Sequence, residues 1–201
     1  MERDPHRYLT SLLSPIDEAP AELASRLLYR FGSIGRIVQA SDNELRQSAS
    51  HGERWVEALL MIRRLVHDGV REELVRTRLG EDRSALFSYL LMTMKNLPEE
   101  RMIAIFADAE AFVIAEEVIA EGGGSHVLIT PRRILGRAMN LDARRILLAH
   151  NHPSGCAEPS SLDVEHTLVL CRQARELGMV IEDHLIIGQS KVVSMKDRGL
   201  V

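Results

Sequence analysis

One stretch constrains the fold more than any other: RRILLAHNHPSGCAEPSSLDVEHTLVLCRQARELG, residues 144–178. It opens on a short, nearly continuous apolar run, RRILLAHNH, which predicts a buried strand. Pro153 and Gly155 stop that strand and turn the chain. Ser160 and Ser161 then begin a long helix, which Gly178 closes. A buried strand that turns directly into a long helix belongs to a mixed α/β domain, because such a strand must be covered by other elements.

The flanking sequence extends this pattern. RMIAIFAD and AFVIAEEVIAEG are further strand candidates, the second ended by Gly122, Gly123 and Gly124, and HVLIT is a third. Pro131 suits the first turn of a helix over RRILGRAM. MVIEDHLIIG and KVVSM read as closing strands, giving roughly five or six strands with at least two helices. Upstream the reading is helical. In PAELASRLLYRFG, Leu23, Leu27 and Leu28 share a face, and Gly32 stands at the C-cap position. Ser41 and Glu44 have capping-box spacing. A longer amphipathic stretch beginning near Glu53 places Trp55, Leu59, Ile62 and Val66 on one face, with Trp55 expected at the seam between domains. The polar segment RTRLGEDRS, residues 76–84, interrupts the periodicity, and another helix follows from Ser84 until Pro98 ends it. The expected organisation is a small all-helical domain over 1–78 and an α/β domain over 79–201.

A net charge of -4 offers no general attraction to nucleic acid or to an anionic membrane. The two cysteines, Cys156 and Cys171, build neither a disulfide framework nor a C-x-x-C pair. MERDPHRYL has no basic segment leading into an apolar one, and no apolar run approaches bilayer length. A cytoplasmic chain in a reducing compartment is expected.

The chemistry concentrates at the end of the buried strand. Alternate strand residues face the same way, so His150 and His152 project together while Asn151 points to the other face. Asp163 falls in the first turn of the following helix. Two imidazoles and one carboxylate, with a fourth position left open, form a ligand set that suits catalytic zinc. His-x-His alone usually binds nothing, and Ser160-x-x-Asp163 alone usually only starts a helix. The whole string H-x-H-P-S-G-x-x-x-P-S-x-x-D, ordered strand, turn and helix, is far more specific. His184 reads as a strand residue, with a supporting role behind the ligands as the alternative.

That string resembles the motif of JAMM (MPN-type) metalloproteases. The HNHPSG form, with Asp183-His184 in EDHLIIG, Pro131-Arg132 and the closing Arg198-Gly199-Leu200, resembles the bacterial RadC family. The resemblance covers the chain well from about Ser84 onward. It implies a mixed-sheet JAMM/MPN, cytidine-deaminase-like fold. It further implies that His150, His152 and Asp163 hold Zn2+, that Ser160 helps stabilise an oxyanion, and that a glutamate at the start of an early strand is the base. Glu100 matches that place best, Glu99 is its competitor, and Glu117 and Glu121 sit on the next strand. The implied activity is hydrolysis of a peptide or isopeptide bond, with zinc-bound water attacking the amide. Protein or peptide substrates, a ubiquitin-like conjugate among them, are the implied partners, and a homo-oligomer is left open. The N-terminal helices resemble that family's helix-hairpin-helix region more loosely. QSASHGERW lacks a Gly-x-Gly turn, so a backbone grip on phosphate is not expected. Two other readings are a DNA-associated repair factor, a label the RadC family has carried, and a non-catalytic MPN scaffold. The acidic balance counts against the first, and the intact ligand set against the second.

Overall fold

A computed structural model describes residues 4–48, 54–75, 77–95, 97–122 and 130–201. The expected HVLIT strand and the QSASHGERW turn fall largely outside the described residues. The chain divides into two compact units, Met1–Asp68 and Gly69–Val201.

The described part of the first unit is helical: α1 (Pro5–Leu13), α2 (Pro20–Phe31), α3 (Ile34–Gln39), α4 (Asp42–Ser48) and the start of α5 (Arg54–Val75). Local sequence accounts for the ends of several of these. Asp4 and Ser33 cap α1 and α3 through their side chains, and Gly32 ends α2 in the left-handed region at φ 78°. The Ser41–Glu44 capping box forms, with the Glu44 carboxylate accepting from the Ser41 N–H at 2.8 Å. Leu9, Leu13, Leu23, Leu27, Ile37, Leu45 and Trp55 are buried together. Trp55 thus belongs to the core of this unit.

The division falls inside α5, before the 78/79 boundary read from the polar segment. The cause is packing: Val70 and Leu74, late in α5, lie with Leu79 against the core of the second unit. A helix that serves both units gives no break in its own periodicity.

The second unit comprises α6 (Arg83–Met94), β1 (Arg101–Ala107), β2 (Val113–Glu121), α7 (Pro131–Asn140), β3 (Arg145–Asn151), α8 (Ser161–Glu176), β4 (Val180–Ile187) and β5 (Val192–Ser194). Its five strands form one mixed sheet in the order β2-β1-β3-β4-β5. β1 is antiparallel to β2 and β3, β3 is parallel to β4, and β4 is antiparallel to β5. The parallel pair needs a long crossover, which α8 supplies. One face, with Met102, Ala104, Phe106, Ile146 and Leu148, packs on α7 and α8 through Ile134, Leu135, Leu170 and Ala174. The other face, with Ile103, Ile105, Leu147, Ala149 and Leu185, packs on α6 through Leu86, Tyr89, Leu90 and Met94. β1 and β3 are covered on both sides, so they read as continuous apolar runs. Each large side chain fully buried there contributes roughly 1.5–3 kcal/mol relative to exposure. Among the described residues no helix is long and apolar enough to cross a membrane.

Candidate metal centre

β3 ends where α8 begins, at the carboxyl end of the parallel pair, a recurrent location for sites in α/β sheets. The pleat places His150 and His152 on the face covered by α7 and α8. Pro153, Ser154 and Gly155 turn the chain, Gly155 at φ 79°. Ser160 then caps α8. Its hydroxyl accepts from the Asp163 N–H at 3.1 Å and donates to Asp163 Oδ2 at 2.6 Å, while its own N–H donates to that oxygen at 2.7 Å. This capping box holds Asp163 in the first turn, where the helix dipole favours a carboxylate.

His150, His152 and Asp163 converge, their ligand atoms all within 4.8 Å of one another. The two Nε2 atoms are 2.9 Å apart, and Asp163 Oδ1 and Oδ2 lie 3.4 and 3.5 Å from His150 Nε2 and His152 Nε2. The hydrogen bonds on the far side of each ring decide what those nitrogens can do. His152 Nδ1 lies 2.7 Å from the Cys156 carbonyl, which can only accept, so Nδ1 carries the proton. Thr167 donates its hydroxyl proton to the Asp163 carbonyl at 2.6 Å, so His184 Nδ1, 2.7 Å from the Thr167 oxygen, must be a donor. Neutral His184 then presents a bare Nε2 to His150 Nδ1 at 2.8 Å, and His150 Nδ1 must donate. Both ligand Nε2 atoms are left with lone pairs aimed at each other.

Two lone pairs at 2.9 Å repel unless positive charge stands between them. A proton on His152 meets that need, since its hydrogen bond with Asp163 raises His152 above its ordinary pKa, against burial and with help from the Glu100 charge. A metal ion meets it as well. Tetrahedral ligands at about 2.0–2.1 Å from zinc stand roughly 3.3–3.4 Å apart, and the three separations bracket that figure. Burial lowers His150 to about 4, which keeps it neutral and able to ligate near pH 7. Burial also holds His184 well below its ordinary value. At Asp163, burial alone would raise the carboxyl. The His152 and Ser160 hydrogen bonds outweigh it and hold Asp163 well below the usual carboxylate range. The donor set fits a divalent cation.

Glu100 immediately precedes β1. The antiparallel β1–β3 ladder ends at the Met102–His150 pair, with Glu100 two residues before Met102 and His152 two residues beyond His150. Its charge favours the protonated form of His152. The other candidates are engaged elsewhere. Glu117 accepts from Arg137 at 2.6 and 2.9 Å, and Glu121 pairs with Arg101. The Glu99 side chain lies against Gly122. Asn151 points to the α6 face, and its carboxamide clips the backbone on both sides of Glu100. It accepts from the Arg101 N–H at 2.8 Å and donates to the Glu99 carbonyl at 3.1 Å. The residue between the two histidines thus fixes the segment that carries the glutamate. His166 and Cys156 lie outside the metal-ligating group.

Gly188, directly after β4, supports the same centre. A Cβ there would meet the Gly155 carbonyl oxygen at 2.6 Å and Ala157 N at 3.0 Å, both backbone atoms that cannot swing aside. The segment displaced would be the one whose Cys156 carbonyl orients His152. Gly188→Ala is expected to cost roughly 1–3 kcal/mol in stability and to weaken metal binding. Denaturant unfolding of the metal-free chain and a zinc titration measure the two effects, and an unchanged midpoint would contradict the packing argument.

The family model for the RadC-like JAB domain matches residues 81–200. A UPF0758 protein of Rhodobacter capsulatus is 34% identical over 179 residues, spanning 89% of this chain and 84% of the relative. UPF0758 protein NE1464 of Nitrosomonas europaea is 32% identical over 180 residues, spanning 90% and 80%. UPF0758 protein RSc2444 of Ralstonia nicotianae is 33% identical over 187 residues, spanning 90% and 81%. With the motif placed on a mixed sheet and the relatives aligned over most of their length, the chain belongs to the RadC family and carries a RadC-like JAB domain.

Proposed function

We propose that this chain is a zinc-dependent hydrolase of peptide or isopeptide bonds, of the JAMM type within the JAB/MPN class. The observation that carries the proposal is the convergence of the His150 and His152 imidazoles with the Asp163 carboxylate, with Glu100 beside the strand end that pairs with His150. The same convergence favours an enzyme over a non-catalytic scaffold, which has no use for an intact ligand set, and we propose a cytidine-deaminase-like fold for the domain that carries it.

Bound zinc would lower the pKa of water toward neutrality and polarise the scissile carbonyl. The chain's own residues do the rest. His150, His152 and Asp163 would hold the ion. Glu100 takes the proton of the attacking water and returns it to the leaving amine. Ser160 donates to the developing oxyanion, for which its hydroxyl must turn away from Asp163 Oδ2, where it now donates. The proposed substrates are proteins or peptides, including ubiquitin-like conjugates, in the cytoplasm. The N-terminal helices are proposed as a degenerate helix-hairpin-helix that does not grip nucleic acid, given the net charge of -4.

The test is metal content. The purified full chain is expected to carry about one zinc, the stoichiometry of a single mononuclear site. A chain that binds no zinc at micromolar free metal would overturn the reading.

A further inference from the structure

His184 is fully buried, 34 residues from His150 in sequence, and hydrogen-bonded at both ring nitrogens. We infer that His184 is a positioning residue for the metal ligand His150, fixing its tautomer through a buried relay that starts at the Asp163 carbonyl and runs through Thr167. The inference rests on the metal site proposed above and goes beyond its ligand set.

The direction of the relay is set by the Thr167 hydroxyl proton, which goes to the Asp163 carbonyl. The Asp163 carbonyl accepts from Thr167, Thr167 accepts from His184 Nδ1, and His184 Nε2 accepts from His150 Nδ1. With the Thr167 hydroxyl donating to the Asp163 carbonyl and His184 neutral, this assignment gives each hydrogen bond of the relay a single proton. The relay therefore ends with the lone pair of His150 on Nε2, the atom that faces His152 and Asp163. It also begins on a metal ligand, because the carbonyl that sets the direction belongs to Asp163. The two ligands are thereby coupled through α8 and β4 as well as across the site.

The supports of the relay are built in. On α8, Thr167 stands one turn beyond Asp163 on the same face, where Leu170 and Ala174 follow. In β4, the parallel register sets Leu148 opposite His184 and Ile186 opposite His150. His184 is thus one pleat repeat short of His150 on the same face of the sheet. Asp183 anchors it from behind, accepting from the His184 N–H at 2.7 Å, the Lys196 N–H at 3.0 Å and the Ser194 hydroxyl at 2.5 Å. An apolar side chain would fill the same buried space, yet the position holds an imidazole with both nitrogens engaged. Partners behind a ligating histidine orient the ring and raise its basicity, and losing them typically weakens metal binding 10–100-fold.

The experiment uses the full chain and two readouts that need no substrate. Zinc dissociation constants come from competition with a chromophoric chelator, and the His150 tautomer comes from ring 15N shifts of the metal-free protein. The wild type is expected to show a protonated Nδ1 and a bare Nε2 on His150. His184→Leu should bind zinc about 10–100-fold more weakly and lose the single tautomer. His184→Gln, whose amide oxygen can accept from His150 Nδ1, should recover most of the affinity. Should His184→Leu fail to fold, Thr167→Val against Thr167→Ser makes the same comparison, with only Val weakening zinc. Wild-type affinity in both His184→Leu and Thr167→Val, or a proton on His150 Nε2 in the metal-free wild type, would overturn the relay while leaving the ligand set intact. Failure of the wild type to bind zinc would count against the metal site, and the 15N shifts would still decide the relay.

Discussion

Alanine at His150, His152 or Asp163 is expected to remove zinc from the purified chain, with losses in affinity beyond the 10–100-fold assigned to partners behind a ligand. Each change deletes one of three protein ligands, and two ligands do not retain a catalytic ion against ordinary chelators. The fold should respond unequally. His150 is buried, and His150→Ala leaves His184 Nε2 without its donor, a loss of roughly 1–3 kcal/mol. His152 is only partly buried, so its removal should cost less. Asp163 has two duties, ligation and capping, which Asp163→Asn separates. The amide oxygen can still accept from the Ser160 N–H, so α8 keeps its cap, whereas the anionic ligand is gone. The expected pattern is near-normal unfolding with lost zinc for Asp163→Asn. Full zinc retention there would reduce Asp163 to a helix cap and remove the carboxylate from the proposed centre.

The parts of this site legible in sequence are those set by short-range geometry. His150 and His152 share a face because a strand has period two, and Asp163 follows because a helix starts where the Pro–Gly turn ends. Asn151 was placed on the opposite face by the same rule. The partner of each residue was not legible, since pairing depends on register between distant segments. Nothing local to Asn151 points to Glu99 and Arg101, fifty residues upstream in the case of Arg101. The His184 side chain reads as a plain strand residue until the parallel β3–β4 register brings it behind His150. The unit boundary escaped for a related reason. α5 keeps one unbroken amphipathic pattern while its early part serves one core and Val70 and Leu74 serve the other. A polar segment marks where periodicity stops, which need not be where one core gives way to the next.

If Glu100 is the general base, Glu100→Gln should keep zinc and lose turnover of a peptide or isopeptide substrate by roughly two to four orders of magnitude. The substitution removes a proton acceptor and a negative charge while preserving side-chain length. Zinc should stay because Glu100 is not among the three converging ligands. The register narrows which glutamate matters. Glu100 lies just beyond the Met102–His150 pair and its charge reaches the His152 ring, whereas Glu117 and Glu121 are held by Arg137 and Arg101. Gln at Glu117 or Glu121 should therefore alter stability slightly and turnover little, since exposed ion pairs are worth at most about 1 kcal/mol. Glu99 is the sharper control. It neighbours Glu100 in sequence, and the Asn151 carboxamide binds the Glu99 carbonyl and the Arg101 N–H, holding the backbone on both sides of Glu100. Glu99→Gln should stay active. A dead Glu99→Gln beside an active Glu100→Gln would shift the base by one residue and keep the zinc mechanism. Full activity in all four variants would leave the site without a carboxylate base and end the proposed chemistry.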